Sequence, residues 1–89
     1  MIEAGTKSIL RLLLVKRIIG GKHTPEKRVL GWVTHLPPDE QKRVKDEWEK
    51  CIKQYLWVFR MKKTGEWHVS LNPKMMREIS NAIKDGGNT

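Results

Sequence analysis

The feature that most constrains this chain is a change of hydrophobic period at Tyr55. Upstream of it, Val44, Trp48, Cys51, Ile52 and Tyr55 recur at i, i+4, i+7, i+8 and i+11, which makes one apolar stripe on a helix. Downstream, Trp57, Phe59 and Met61 alternate with Val58 and Arg60. After the polar run Lys62-Lys63-Thr64-Gly65-Glu66, Trp67, Val69 and Leu71 alternate with His68 and Ser70. Two alternating runs around a Gly-containing turn predict a hairpin. Pro37-Pro38 predicts the start of the long helix, because a first-turn proline lacks only an N–H that would be unpaired there. Asp39 and Glu40 then face the positive end of the helix dipole. Residues 38–73 are therefore expected to form a long helix that runs straight into a hairpin with a basic tip.

Thr6 or Ser8 is placed to cap a first helix that runs to about Ile19, where Gly20-Gly21 supplies a left-handed stop. This helix is apolar on two sides. Ile9, Leu12, Leu13, Val15 and Ile19 form one face, and Leu10, Leu14 and Ile18 form a second stripe. Such a helix is either central, packed between the long helix and a C-terminal helix, or buried against a second chain. Lys22-His23 reads as extended. Thr24-Pro25-Glu26 opens a short second helix, with Thr24 as N-cap and Val29, Leu30, Trp32 and Val33 on its apolar side. It stops near Thr34 or His35, since Leu36 precedes a proline. A short helix, a tight turn and a longer helix make a helix-turn-helix. Asn72-Pro73 begins a last helix to Lys84, with Met75, Met76, Ile79, Ala82 and Ile83 along one face. The expected fold class is mostly α with a β-hairpin (α+β). Residues 1–85 form a single domain, and 86–89 a flexible tail.

Net charge is +8, which favours a polyanionic partner. Residues 1–35 hold seven Lys/Arg against two acids, 36–56 hold five of each, and 57–89 hold six against three. The excess lies at the two ends, and the long helix is neutral in sum. One cysteine excludes an intrachain disulfide. The first apolar run carries Arg11, Lys16 and Arg17 and is too short for a membrane span, so a cytoplasmic protein without membrane contact is expected. His23, His35, His68 and Cys51 lack metal-ligand spacing, and no glycine-rich phosphate loop or useful carboxylate pair is present. The expectation is a non-enzyme with no metal, no cofactor and no evident small-molecule ligand.

The run from His23-Thr24-Pro25 to His68-Val69-Ser70-Leu71-Asn72-Pro73, with its order of elements, resembles small archaeal winged helix-turn-helix proteins. The resemblance implies a winged helix with an extra C-terminal helix, binding of double-stranded DNA and transcriptional control. It carries over no catalytic residue. In that mode the long helix enters the major groove and the wing touches phosphate. The candidate base readers are Gln41, Lys42, Arg43 and Lys45, since arginine binds guanine and glutamine binds adenine bidentately. The wing offers Arg60, Lys62, Lys63 and Thr64. Lys22, Lys27 and Arg28 could clamp phosphate at the second helix. Against these readings stand ion pairs such as Arg43 with Glu47 and Asp46 with Lys50, and charges that merely protect a hairpin end. Trp57 and Trp67 are expected to face each other across the hairpin, with Trp57 beside Arg60 as the one candidate for base stacking. A homodimer is expected through Leu10, Leu14, Ile18, Met75, Ile79 and Ile83. The competing reading is a protein–protein or RNA-binding module of the same fold.

Overall fold

The computed structural model describes residues 2–84, so the tail expected at 86–89 lies outside the described residues. Four helices and a three-stranded antiparallel sheet follow the order α1 (Ala4–Val15), β1 (Thr24–Pro25), α2 (Glu26–Gly31), α3 (Pro38–Lys53), β2 (Val58–Lys63), β3 (Glu66–Leu71), a 3-10 turn (Pro73–Met75) and α4 (Met76–Lys84). The sheet order is β1-β3-β2.

Helix α1 starts before the cap expected at Thr6 or Ser8 and stops before Gly20-Gly21. Its start is tied to α3: the Glu3 N–H donates to Glu47 Oε1 at 2.8 Å. At its other end Arg17, at φ 57°, occupies the left-handed position expected of Gly20. The Ile18 N–H donates to the Leu13 carbonyl (2.9 Å) and the Arg17 N–H to that of Leu14 (3.0 Å), the paired bonds of a Schellman cap. Its apolar contact comes from Leu13 and Ile18, both buried. That contact outweighs the intrinsic preference for glycine, and it turns the chain so that Ile18 and Gly20 bond across Leu71 at 2.9 Å each.

Strand β1 takes residues assigned above to the helix cap. Thr24 pairs with Val69 and Pro25 with His68, so α2 begins only at Glu26. Proline fits here because β1 is an edge strand and needs no outward N–H. The Gln41 amide donates to the carbonyls of Thr34 (3.1 Å) and Leu36 (2.7 Å), which fastens the α2–α3 turn. Along α3 the expected stripe holds: Val44, Trp48 and Cys51 are buried, and Ile52 and Tyr55 pack at the margin of the core.

The hairpin register departs from the expected tryptophan pair. Thr64 (φ 49°) and Gly65 (φ 80°) both take left-handed conformations, giving a two-residue turn of the I′ kind. Lys63 therefore opposes Glu66, and Trp67 opposes Lys62, not Trp57. Trp57 lies before β2 and packs on Tyr55, with ring centroids 4.7 Å apart. The core side of the hairpin carries Val58, Val69 and Leu71. Phe59 points the other way and stays 42% exposed.

Helix α1 packs on α3, α4 and β3. A Cβ on Gly5 would lie 2.7 Å from Val44 Cγ2, which is how closely α1 approaches α3. The stripe assigned above to a dimer is largely interior: Leu10, Ile18, Ile79 and Ile83 are buried within one chain, with Leu14 and Met75 partly buried beside them. The reason is α4, whose apolar face covers the second side of α1. Among the described residues no helix is long and apolar enough to cross a membrane.

Arg17→Gly should raise stability by roughly 0.5–1 kcal/mol. It removes a left-handed conformation that costs a side-chain-bearing residue about 1–2 kcal/mol, part of which returns as extra freedom of the unfolded chain. A urea midpoint measures it. An unchanged or lowered midpoint would mean that the Arg17 side chain stabilises the native state as much as its backbone strains it.

Candidate nucleic-acid interface

The four residues proposed to read bases have different fates. The Gln41 amide is engaged in the α2–α3 turn described above. Lys42 pairs with Asp46 at 3.4 Å, both side chains being well exposed. Arg43 sits between Glu3 (3.4 Å) and Asp39 (3.6 Å), not against Glu47. Lys45 is exposed and has no side-chain partner among the described residues. Exposed pairs of this kind are worth only about 0–1 kcal/mol, so phosphate can displace them, but Asp39 and Asp46 remain as negative charges on the same surface.

At the hairpin tip, Lys62 and Lys63 are exposed. The Lys62 ammonium lies 5.2 Å from the centre of the Trp67 ring, and no carboxylate among the described residues pairs with either lysine. The Thr64 hydroxyl donates to the Lys63 carbonyl at 2.7 Å. Lys27 and Arg28 are exposed on α2, and Lys22 Nζ donates to the Lys16 carbonyl at 3.2 Å. The exposed tryptophan is Trp67, at 47%, and it lies 5.9 Å from the Arg60 guanidinium. Trp57, expected to hold that position, does not, because the two-residue turn sets the register.

Arg60 corrects an expectation. Its side chain is only 20% exposed and does not reach out towards a phosphate. It turns inward between two carboxylates, donating to Glu26 Oε2 at 2.6 Å and to both oxygens of Glu49. The Trp48 indole N–H donates to the same Glu26 oxygen at 2.7 Å. The group links α2, α3 and β2. The hydrogen bonds from Arg60 hold the Glu49 carboxyl below its ordinary range, against a smaller opposing effect of burial and with help from Lys53. Bonding to Glu49, then to Glu26, raises the Arg60 pKa despite desolvation. Sequence reasoning missed Glu26 and Glu49 as partners of Arg60. They lie 34 and 11 residues away along the chain, and no local pattern connects them.

Two other groups complete the survey. His23 and His68 meet with their Nδ1 atoms 2.8 Å apart. Cys51 is fully buried, and burial, with a smaller effect of Glu47, pushes its thiol up to about 12, so it holds its proton and packs as a small apolar side chain. Among the described residues no group of three or more His, Cys, Asp or Glu side chains could hold a metal ion. Comparison with protein-family models, with curated proteins and with solved structures finds no match to this chain.

Arg60→Met should destabilise the fold by about 3 kcal/mol, because it leaves the buried Glu26 charge without its counter-ion. Adding Glu26→Gln, which keeps an acceptor for Trp48, should recover part of the loss. A double variant no more stable than Arg60→Met would show that lost packing, and not the stranded charge, is the cost. The acid side carries its own signature. Glu49 has a folded-state pKa below its ordinary value of 4.5, so its contribution is complete above that pH and fades as pH falls through the lower folded value. Glu49→Gln should flatten the acid limb of a stability–pH curve.

Proposed function

We propose that the protein is a winged helix with an extra C-terminal helix that binds double-stranded DNA as a small transcriptional regulator. Helices α2 and α3 act as the helix-turn-helix, and the β2–β3 hairpin acts as the wing. The sheet order β1-β3-β2 and the succession α1, β1, α2, α3, β2, β3 are compatible with that layout. The observation that carries the reading is the pair Lys62 and Lys63, exposed at the tip of a hairpin that Arg60 fastens to both helices. Lys27 and Arg28 add positive charge on α2, and the net charge of +8 supports a polyanionic partner.

Affinity in this reading comes mainly from phosphate, because the α3 surface is internally neutralised. Lys45 is the first candidate to touch a base edge, and Lys42 and Arg43 join only by exchanging carboxylate for DNA. The neutral α3 surface also favours the second reading, a protein or RNA interaction module, with Trp67 beside Lys62 as its contact. A homodimer would use exposed apolar side chains, such as Leu12 and Val15 of α1 or Leu56, Phe59 and Trp67, in place of the covered Leu10 and Ile18.

A labelled duplex titrated at several salt concentrations tests the proposal. Binding should weaken steeply with salt through counterion release. Lys62→Ala with Lys63→Ala should weaken it on all sequences alike and reduce the slope of log K against log salt by roughly 0.9 per lost contact. A folded double variant with unchanged affinity and slope would defeat the wing as the DNA contact.

A further inference from the structure

Cross-strand rows on the helix side of the hairpin run from the core to the tip. Side chains alternate along a strand, so Leu71, Val69 and Trp67 of β3 share that face with Val58, Arg60 and Lys62 of β2. In the first row Leu71 and Val58 are buried. In the second, Val69 is buried and Arg60 turns into its two carboxylates. The last row, Trp67 opposite Lys62, has passed beyond the cover of the helices, and Trp67 is 47% exposed. The Lys62 ammonium lies 5.2 Å from the centre of its ring and the Arg60 guanidinium 5.9 Å. Alternation sets Glu66, the acid next to Trp67 in sequence, on the opposite face. The result is an open indole flanked by cations, with no carboxylate in its own row.

We propose that Trp67 is a stacking platform for an unpaired base of single-stranded DNA, with Lys62 taking the phosphate beside that base. Each nucleotide of a single strand presents a π-face and a negative charge, and the last row presents the matching pair. A double helix keeps its bases stacked inside, so it can meet the lysines without reaching the indole. Lys62 is exposed and pairs with no carboxylate among the described residues, so it is free to swing from the ring to a phosphate. A cation over an exposed ring is held more weakly than a stacked base, and the exchange therefore favours the base. Arg60 stays in place, because Glu26 and Glu49 hold it, and it keeps β2 and the platform fixed. Lys45 lies one turn before Glu49 on α3, on the side of that helix that meets Arg60, and extends the positive track. The other tryptophans offer no such face: Trp48 is buried, and Trp32 and Trp57 pack against the core. The choice of DNA as the polymer rests on the reading proposed above. The stacking site goes beyond it, since duplex binding needs only phosphate contacts from the wing.

Titration of the whole protein with a short labelled oligothymidine, and with an abasic oligomer of equal length, provides the test. Both carry the same phosphates, and only the first has bases. Oligothymidine should bind about tenfold more tightly, within the range of one stacked base, and should quench tryptophan emission. Trp67→Leu keeps an apolar side chain at a half-exposed position and removes the π-face. It should bind the two oligomers alike and lose most of the quenching, with duplex binding and its salt slope unchanged. Trp67→Phe should restore part of the preference. The comparison of oligomers on the unmodified protein stands independently of how the variants fold. Equal binding of the two oligomers by the unmodified protein, or a folded Trp67→Leu variant that keeps the preference, would overturn the proposal. So would a Trp67→Leu variant that loses duplex affinity to the same extent, since the ring would then serve the duplex. Tighter binding of oligouridine than of oligothymidine would overturn DNA as the occupant. A clear preference for oligothymidine over the abasic oligomer, in a protein that fails to bind duplex, would support the stacking site while defeating the regulator reading.

Discussion

The arrangement of α2, α3 and the hairpin depends on one guanidinium. Arg60 bonds to a carboxylate from α2 and to another from α3, while the Trp48 indole shares the oxygen contributed by α2. Glu26 is 7% exposed, and its Oε2 accepts from both Arg60 and the Trp48 indole. In other proteins an apolar replacement of similar volume often matches the stability of such a cluster. What apolar contacts would not reproduce is direction. The planar fork of Arg60 donates to its carboxylates along fixed lines, and so sets the angle at which the hairpin leaves the helices.

The same cluster explains how the surface charge divides. Three acids near the hairpin side of the molecule are drawn into intramolecular pairs: Glu26 and Glu49 with Arg60, and Asp46 with Lys42. Lys53 also leans on Glu49, at 3.3 Å. Among the described residues, Lys27 and Arg28 on α2, Lys62 and Lys63 at the hairpin tip, and Lys45 and Lys50 on α3 have no acidic partner, so the unpaired positive charge is spread over all three elements. In the DNA-binding reading proposed above, the unpaired lysines at the hairpin tip would meet a phosphate backbone more readily than the paired Lys42 and Arg43 of α3.

Much of the architecture was legible because it rests on periodicity and local stops. The α3 stripe, the hairpin and Pro38 at the start of α3 all follow from residue spacing; Asn72-Pro73 opens a 3-10 turn, with Asn72 accepting from the Lys74 N–H at 3.0 Å, and the last α-helix starts only at Met76. What was not legible rests on contacts distant in sequence. Arg17 takes the left-handed cap instead of Gly20 because Ile18 must reach the core. Trp67 is paired with Lys62 because two turn residues adopt positive φ. Leu10 and Ile18 are inside because α4 folds back over them. Of the candidate site, Lys62 and Lys63 were correctly expected to be exposed. Arg60 was not separable from them, because a basic residue on a strand looks the same whether its partners are phosphates or interior carboxylates.

The position of Arg60 along its strand has a mechanical consequence. It grips β2 at mid-length, and only Met61, Lys62 and Lys63 extend beyond it before the turn. At about 3.3 Å per residue the overhang is roughly 10 Å. The hairpin is therefore a short cantilever, clamped at its root and free at its end. Load applied to the tip lysines acts as a bending moment at the clamp and is divided there between α2 and α3. A partner that pulls on the tip would strain the crossing of those two helices, and a change in that crossing would swing the tip.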